Sequence, residues 1–224
     1  MAVDLYYNEI ARAIRRSLQD GRLLTADAGA VDTVCASSVG IAAGDVVEIG
    51  DDRGESERST VSAVPDVGTL QLVAPLSGDY SVSRNAMLRP VRVGEPDLKW
   101  IGQGPVELMP EPRLANLPCA IVCGGTIEQP MAGGTNRSYT QEYCFHVHYV
   151  QRLDADETGD ARLMNEAAVV FRRLMADTYL GGTCWYSQVV RVDPQPRSEG
   201  ALRERGMPVR AVEIVLVARR AEVA

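Results

Sequence analysis

One thiol and two imidazoles stand at alternate positions in a short stretch of the chain, at Cys144, His146 and His148. Alternate residues of a β-strand share one face, so these three side chains could together bind a metal ion such as zinc or iron. Along a straight strand, however, neighbouring members of the set stand about 6.6 Å apart, which suits two ligands better than three. A fourth ligand would have to come from elsewhere, and residues 151–153 include no glutamate. The pattern favours a polar or interfacial strand face, with a small metal-dependent enzyme as the alternative.

Other catalytic motifs do not occur in the sequence. The glycine pairs at 124–125 and 133–134 belong to no phosphate-binding loop, and we expect them to lie in turns. A Gly-x-Ser-x-Gly elbow is also missing, although serine–histidine catalysis with one of the two histidines is formally open. Cys119 and Cys123 lack the spacing of zinc or redox pairs, so we expect buried thiols. The acidic residues between 48 and 57 lack a calcium-loop pattern and predict a solvated hairpin tip. We predict no catalytic residue, no metal and no cofactor.

The elements that position these residues follow from hydrophobic periodicity. Residues 138–150 alternate between apolar odd and mostly polar even positions, which predicts a long strand with one face on a core and the other toward water or a partner. Residues 209–219 are apolar on both sides, which predicts an interior strand. Further predicted elements are helices at 4–20 and 156–180, strands at 117–123 and 185–193, and loops at 124–137 and 193–207.

Residues 28–92 show no helical periodicity. Short alternating runs separated by Gly, Pro and Asp turns predict a small, barrel-like all-β domain inserted at residues 28–92. Residues 93–115 are rich in proline and glycine and predict an extended linker. The fold class is therefore α+β: a mostly antiparallel sheet flanked by two helices, formed by residues 1–27 and 93–224, with the inserted β domain between them.

The composition argues against several classes of function. The 224 residues carry a formal net charge of −7, which argues against general binding to nucleic acid. The five cysteines are odd in number and form no secretory framework, so we expect free thiols. The chain opens without a basic and apolar leader, and its apolar runs are too short to span a bilayer. We expect synthesis in the cytoplasm and no membrane partner.

The first 25 residues together with residues 113–224 resemble the tail terminator (tail completion) proteins of long-tailed bacteriophages. The resemblance rests on the order and spacing of a short N-terminal helix, the strand Asn116–Val122, and a Gly-rich loop before Ser138–Tyr149. A helix ending in Leu180–Gly182 and the final strand Val209–Arg219 complete it. The β domain at 28–92 is a departure, because many members of the family lack it.

The resemblance implies a non-enzymatic virion subunit. Family members form a ring, typically a hexamer, that caps the tail tube and joins it to the head-side connector or stopper protein. DNA then passes through the lumen only as transient cargo, and the subunit, made in the host cytoplasm, resides in the virion neck. Another neck, connector or tail-completion subunit is an alternative, as is a carbohydrate-binding phage module. The residues that we predict at interfaces are Met131, Arg137, Glu142, His146, His148, Arg197 and Arg203.

Overall fold

A computed structural model describes most of the chain. The described residues are 3–51, 53, 55–98, 100–104, 117–128, 138–153, 158–204, 206 and 208–223. The predicted linker segment 105–115 and loop segment 129–137 lie outside these ranges. The chain divides into two compact units, one formed by residues 1–18 and 95–224 and the other by residues 19–94. The predicted insertion at 28–92 falls within the second of these units.

The first element is the helix α1 (Val3–Leu18), close to the predicted 4–20. Ile10, Ile14 and Leu18 recur at helical spacing and are fully buried, so they form the apolar stripe that the sequence predicts. The helix ends before Asp20, which has a positive φ of 52°. A residue in this left-handed conformation is a common way to end a helix.

The unit of residues 19–94 is all β and closes on itself. A six-stranded sheet has the order β1-β8-β4-β5-β6-β3, and an isolated bridge between Leu24 and Ala36 joins the chain after β1 to the chain after β3. The two edges therefore meet, as in a small barrel, which confirms the barrel-like prediction. The strands are β1 (Arg22–Leu23), β2 (Ala28–Gly29), β3 (Thr33–Cys35), β4 (Val46–Gly50), β5 (Ser56–Asp66), β6 (Thr69–Leu72), β7 (Asp79–Tyr80) and β8 (Met87–Val91), with a 3-10 turn at Val82–Arg84.

Two carboxylates of the acidic segment in this unit are paired with arginines. Glu48 Oε2 lies 2.8 Å from Arg58 Nε and 3.0 Å from Arg89 Nη2. Asp51, whose side chain is 0% exposed, accepts from Arg84 Nε at 2.9 Å. The predicted hairpin tip is present between β4 and β5, where the Glu55 side chain is 63% exposed, while arginines on neighbouring segments pair with Glu48 and Asp51.

The other unit is built on a five-stranded sheet of order β12-β13-β11-β10-β9. All its pairs are antiparallel except β9 with β10, which is parallel. The interior position predicted for the last strand is confirmed, since β13 lies between β11 and β12. The elements are β9 (Trp100–Gln103), β10 (Cys119–Glu128), β11 (Ser138–Arg152), α2 (Thr158–Ala176), β12 (Tyr186–Asp193), α3 (Arg197–Glu204) and β13 (Val209–Val223).

Three sequence predictions about this unit were wrong. The predicted linker contains the edge strand β9, the predicted polar loop at 193–207 contains α3, and residues 124–128 extend β10 instead of forming a loop. Both β9 and α3 are short, so neither shows enough periodicity to be recognised. Residues 124–128 contain two glycines, which weaken a strand pattern on local propensity alone.

Both long helices pack on the same face of this sheet. The main core joins α1 and α2 to the odd positions of β11 and the even positions of β13. A smaller cluster on the opposite face places Leu202 of α3 against Cys119, Ile121, Val150 and Val209. The class is therefore α+β, as predicted from the sequence, with a helix on the second face that the sequence did not reveal.

Candidate functional site

The second face of the sheet carries a polar patch beyond the cover of α3. Even positions of β11 and odd positions of β13 point to this face, as the register of the strand pair requires. At one end the buried side chains of Val150 and Ala211 pack near α3. Toward the other end apolar residues give way to ionisable ones from three strands. We call this group the Glu213 cluster: Cys144, His146, His148, Arg191 and Glu213.

Glu213 is the centre of the cluster. Its Oε1 accepts a hydrogen bond from His146 Nδ1 at 2.7 Å and lies 3.9 Å from His148 Nε2. Its Oε2 accepts from Arg191 Nη2 at 2.8 Å. The two imidazole rings are nearly parallel, with centroids 6.5 Å apart. One buried carboxylate thus bonds one ring and a guanidinium from neighbouring strands and lies close to a second ring.

The environment of Glu213 favours its ionised form. Burial raises the pKa of this carboxyl group, but hydrogen bonds and charges from His146, His148 and Arg191 outweigh it and hold the pKa below its ordinary value. A carboxylate is therefore present at neutral pH. It accepts the Nδ1 hydrogen of His146 and so fixes the orientation of that ring.

The thiol of Cys144 lies next to the other nitrogen of the same ring. Cys144 Sγ is 3.8 Å from His146 Nε2, within reach of a hydrogen bond to sulfur. Glu213, His146 and Cys144 therefore form a line of carboxylate, imidazole and thiol. Within the described ranges, no group of three or more His, Cys, Asp and Glu side chains is arranged to hold a metal ion.

Gly124 and Gly125 lie inside β10, not in a turn as the sequence suggested. They sit where the register with β11 shifts between Gly124 and Ile127. A Cβ on Gly125 would stand 2.9 Å from His146 Nε2, so the missing side chain leaves room for the imidazole. A side chain here would force the imidazole to move, and the bulge places a glycine at this close approach.

The structure brings together only some of the predicted interface residues. His146 and His148 belong to the Glu213 cluster, and Glu142, farther along β11, forms an ion pair with Arg219. Arg203 lies on α3, away from this group. The side chain of Arg197, and Met131 and Arg137 entirely, lie outside the described residues.

A separate groove lies beside α3. It has a volume of about 290 Å³, and ion pairs and hydrogen bonds that fix α3 to β13 occupy its walls. Arg203 Nη2 lies 2.8 Å from Glu199 Oε1, and Glu199 Oε2 accepts from the Ala211 amide at 2.9 Å. The lining residues are Gln195, Pro196, Glu199, Gly200, Arg203 and Arg210.

Two members of the cluster, Arg191 and Glu213, were not predicted from the sequence. Glu213 stands between Val212 and Ile214 in a strongly apolar strand, and an acidic residue there is a signal, because a buried carboxylate needs a partner. The identity of that partner is set by strand pairing. Nothing in the sequence around Arg191 indicates that its side chain pairs with a buried carboxylate. By contrast, the expected free thiols are confirmed, since all five cysteines are unbridged and Cys119 and Cys123 are buried.

Comparisons with known proteins give little guidance. No protein-family model matches the sequence, and no curated protein matches it. One similar solved structure is the Gp54 tailspike of Acinetobacter baumannii bacteriophage AP22 in complex with a capsular saccharide, at 19% identity and a TM-score of 0.29. The match covers 32% of this chain and 14% of the tailspike chain. None of the helices in the described ranges combines the length and apolar character that crossing a membrane requires.

Proposed function

We propose that this chain is a structural subunit of the neck of a long-tailed bacteriophage, and specifically a tail terminator. The observation that carries the proposal is the order of elements in the α+β unit: α1, β10, β11, α2, β12 and β13. With β12 set aside, these are the helices and strands, in the same order, on which the resemblance to tail terminators rests. In this proposal, copies of the chain form a ring, typically a hexamer, that caps the tail tube and meets the head-side connector.

Exposed apolar side chains at the β12 edge of the sheet support an assembling subunit. In the described part of the chain, β12 pairs only with β13, so its other edge carries no strand. Large apolar side chains exposed together are characteristic of surfaces that a partner covers. Those at and just before β12 are Trp185 (65% exposed), Tyr186 (41%), Val190 (51%) and Val192 (41%).

Two buried cysteines and the paired charges of Arg191 and Glu213 support a role without turnover. Burial raises the pKa of the Cys119 thiol to about 12 and that of the Cys184 thiol to about 11, so neither is a nucleophile at neutral pH. The charges of Glu213 and Arg191 are already paired with each other. A half-exposed polar face of this kind can contact a neighbouring subunit or the tail tube. The net charge of −7 suits a ring through which DNA passes without binding.

Assembly on tail tubes tests the proposal. Purified protein, alone and mixed with isolated tail tubes, should be compared by mass photometry and electron microscopy. We expect rings at tube ends even if the free protein is monomeric. Trp185→Ser with Tyr186→Ser should weaken assembly, whereas Val67→Ser, an exposed valine of the other unit, serves as the control. A stable two-fold dimer both in solution and in the virion would contradict ring formation.

Two further measurements separate the alternatives. Binding to the head-side connector but not to the tube would indicate another neck or tail-completion subunit. Elemental analysis addresses the metal-dependent enzyme. About one zinc or iron per chain, lost in a folded His146→Gln/His148→Gln variant, would favour that enzyme over the structural subunit.

A further inference from the structure

The positions of Cys144, His146 and Glu213 bear on the reactivity of the Cys144 thiol, whether or not the chain assembles. We propose that Cys144 is a reactive thiol, activated by His146 and Glu213, that exchanges with small-molecule disulfides. This goes beyond the proposed structural role, because it concerns the chemistry of the free subunit. It rests on the positions of three side chains from two adjacent strands.

The imidazole is oriented to accept a proton from sulfur. Glu213 Oε1, at 2.7 Å, accepts the hydrogen on His146 Nδ1, so the lone pair of the neutral ring is on Nε2. Nε2 is the atom that lies 3.8 Å from Cys144 Sγ. Arg191 holds Glu213 from the opposite side at 2.8 Å. A nucleophile, a base and a group that orients the base thus occur in the required order.

The neighbours of the thiol preserve this geometry. Gly125 leaves the space that Nε2 occupies, since a Cβ there would stand 2.9 Å from it. Cys144 pairs with Val217 of β13, and the continuous register between β11 and β13 holds this part of the strand in place. The ion pairs near the thiol on this face join His146, His148 and Arg191 to Glu213, and Glu142 to Arg219.

Accessibility distinguishes Cys144 from most of the other cysteines. Cys119, Cys123 and Cys184 are buried, and burial raises the pKa of two of these thiols, Cys119 and Cys184. Cys144 and Cys35 are half-buried. Cys35 lies in the β unit and provides an internal reference of similar exposure.

The small disulfide is itself the oxidant in this exchange, so no further oxidant is needed. The Cys144 proton passes to His146 Nε2, and the thiolate attacks one sulfur of a small disulfide. A new S–S bond forms to Cys144 as the original S–S bond breaks. The departing thiolate takes the proton from Nε2, which restores the neutral ring. The products are a mixed disulfide at Cys144 and one small thiol.

Reaction with 5,5′-dithiobis(2-nitrobenzoate) tests the proposal on the intact, unassembled chain. Released thionitrobenzoate gives the rate, and peptide mass spectrometry identifies the modified cysteine. We expect one fast thiol per chain at neutral pH, at Cys144, reacting about 10-fold or more faster than Cys35. His146→Gln should slow Cys144 by about 10-fold, and Glu213→Gln should slow it less.

Matched variants keep the test decisive. Cys35→Ser should leave the fast phase intact, and so should Glu48→Gln, which removes an arginine-paired carboxylate of the other unit. Circular dichroism and thermal unfolding establish that each variant is folded. A Cys144 rate no faster than that of Cys35, or a rate unchanged in folded His146→Gln, would overturn the proposal. Neither result depends on whether the chain forms rings.

Discussion

At the scale of residues, Gly124 and Gly125 are adjacent in sequence but make space on opposite faces of the sheet. Gly125 accommodates His146 on the polar face. Gly124 accommodates Tyr7 of α1 on the core face, where that ring stacks on Phe145 with centroids 5.0 Å apart. Successive residues of a strand point to opposite faces, so two glycines in a row can serve two different neighbours.

Gly124→Ala is expected to destabilise the α+β unit. A Cβ at this position would overlap the Tyr7 hydroxyl and ring, so the tyrosine or the strand must move. We expect a loss of about 1–3 kcal/mol in the free energy of unfolding, measured by urea denaturation. Gly200→Ala is the control, because residue 200 is exposed and an added Cβ there meets nothing within 4 Å. A folded Gly124→Ala protein of unchanged stability would show that the fit of Tyr7 is not tight.

The lowered pKa of Glu213 predicts a pH-dependent stability contribution. A carboxyl group whose pKa is lower in the folded than in the unfolded state stabilises the fold above the unfolded value. That contribution is lost as the pH falls through the folded value. Wild type should therefore exceed Glu213→Gln in stability at neutral pH, by about 1 kcal/mol. The difference should hold down to about pH 5 and shrink below it.

Denaturation of both proteins between about pH 3 and pH 7 checks this prediction, because that range spans the titration of carboxyl groups. Glu48→Gln provides the comparison for a paired carboxylate elsewhere, since the pKa of Glu48 is also lowered: burial raises it, but its arginine partners outweigh burial. A stability difference for Glu213→Gln that grows as the pH falls would contradict the expected direction of the effect.

At the scale of elements, α3 depends on one apolar contact more than on its own sequence. It is only eight residues long, and isolated helices of that length are unstable in water. Leu202 anchors it in the second apolar cluster, against β10 and β13. Glu199 adds a hydrogen bond to the backbone of β13. The helix is therefore a product of tertiary packing.

Leu202→Ala should expose this dependence. Leu202 is 2% exposed, and truncation of a buried leucine typically costs about 2–4 kcal/mol. Leu153→Ala, at a leucine that is 40% exposed, should cost well under half as much. Thermal unfolding measures both, and hydrogen exchange at residues 197–204 reports whether α3 loosens. Equal effects of the two variants would show that α3 contributes no packing.

At the scale of the whole molecule, Arg173 of α2 joins the two ends between which the β unit is inserted. Its Nη1 donates to the Leu18 carbonyl and its Nη2 to Glu95 Oε2, each at 2.8 Å. Leu18 and Glu95 are the residues at which the α+β unit is interrupted. One guanidinium reaches both, so the two ends lie close together in space.

Removal of residues 19–94 is therefore expected to leave a folded α+β unit. A short Gly/Ser bridge from Leu18 to Glu95 spans the gap without pulling α1 away from the sheet, and the two units have separate cores. Circular dichroism and urea unfolding should show one cooperative transition. Non-cooperative unfolding of the shortened chain, with the intact chain cooperative, would mean that the β unit is part of the same folding unit.

The sequence by itself determined the elements whose side chains repeat over many residues. The periodicity of α1 and α2, the alternation of β11, and the apolar character of β13 predicted their positions and the α+β class. Each of these elements buries a regular stripe or face, so its apolar residues recur at a fixed spacing in the sequence. The turn residues between 28 and 92 likewise predicted a separate β domain.

Tertiary structure alone decided the short elements and the composition of the site. β9 and α3 are too short to show a periodic pattern. β9 forms because it pairs with β10, and α3 forms because Leu202 packs against the sheet and Glu199 bonds to β13. His146 and His148 were identifiable as neighbours on one strand, but Glu213 lies 67 positions after His146. Which carboxylate faces which imidazole depends on the register between β11 and β13, and no local pattern encodes that register.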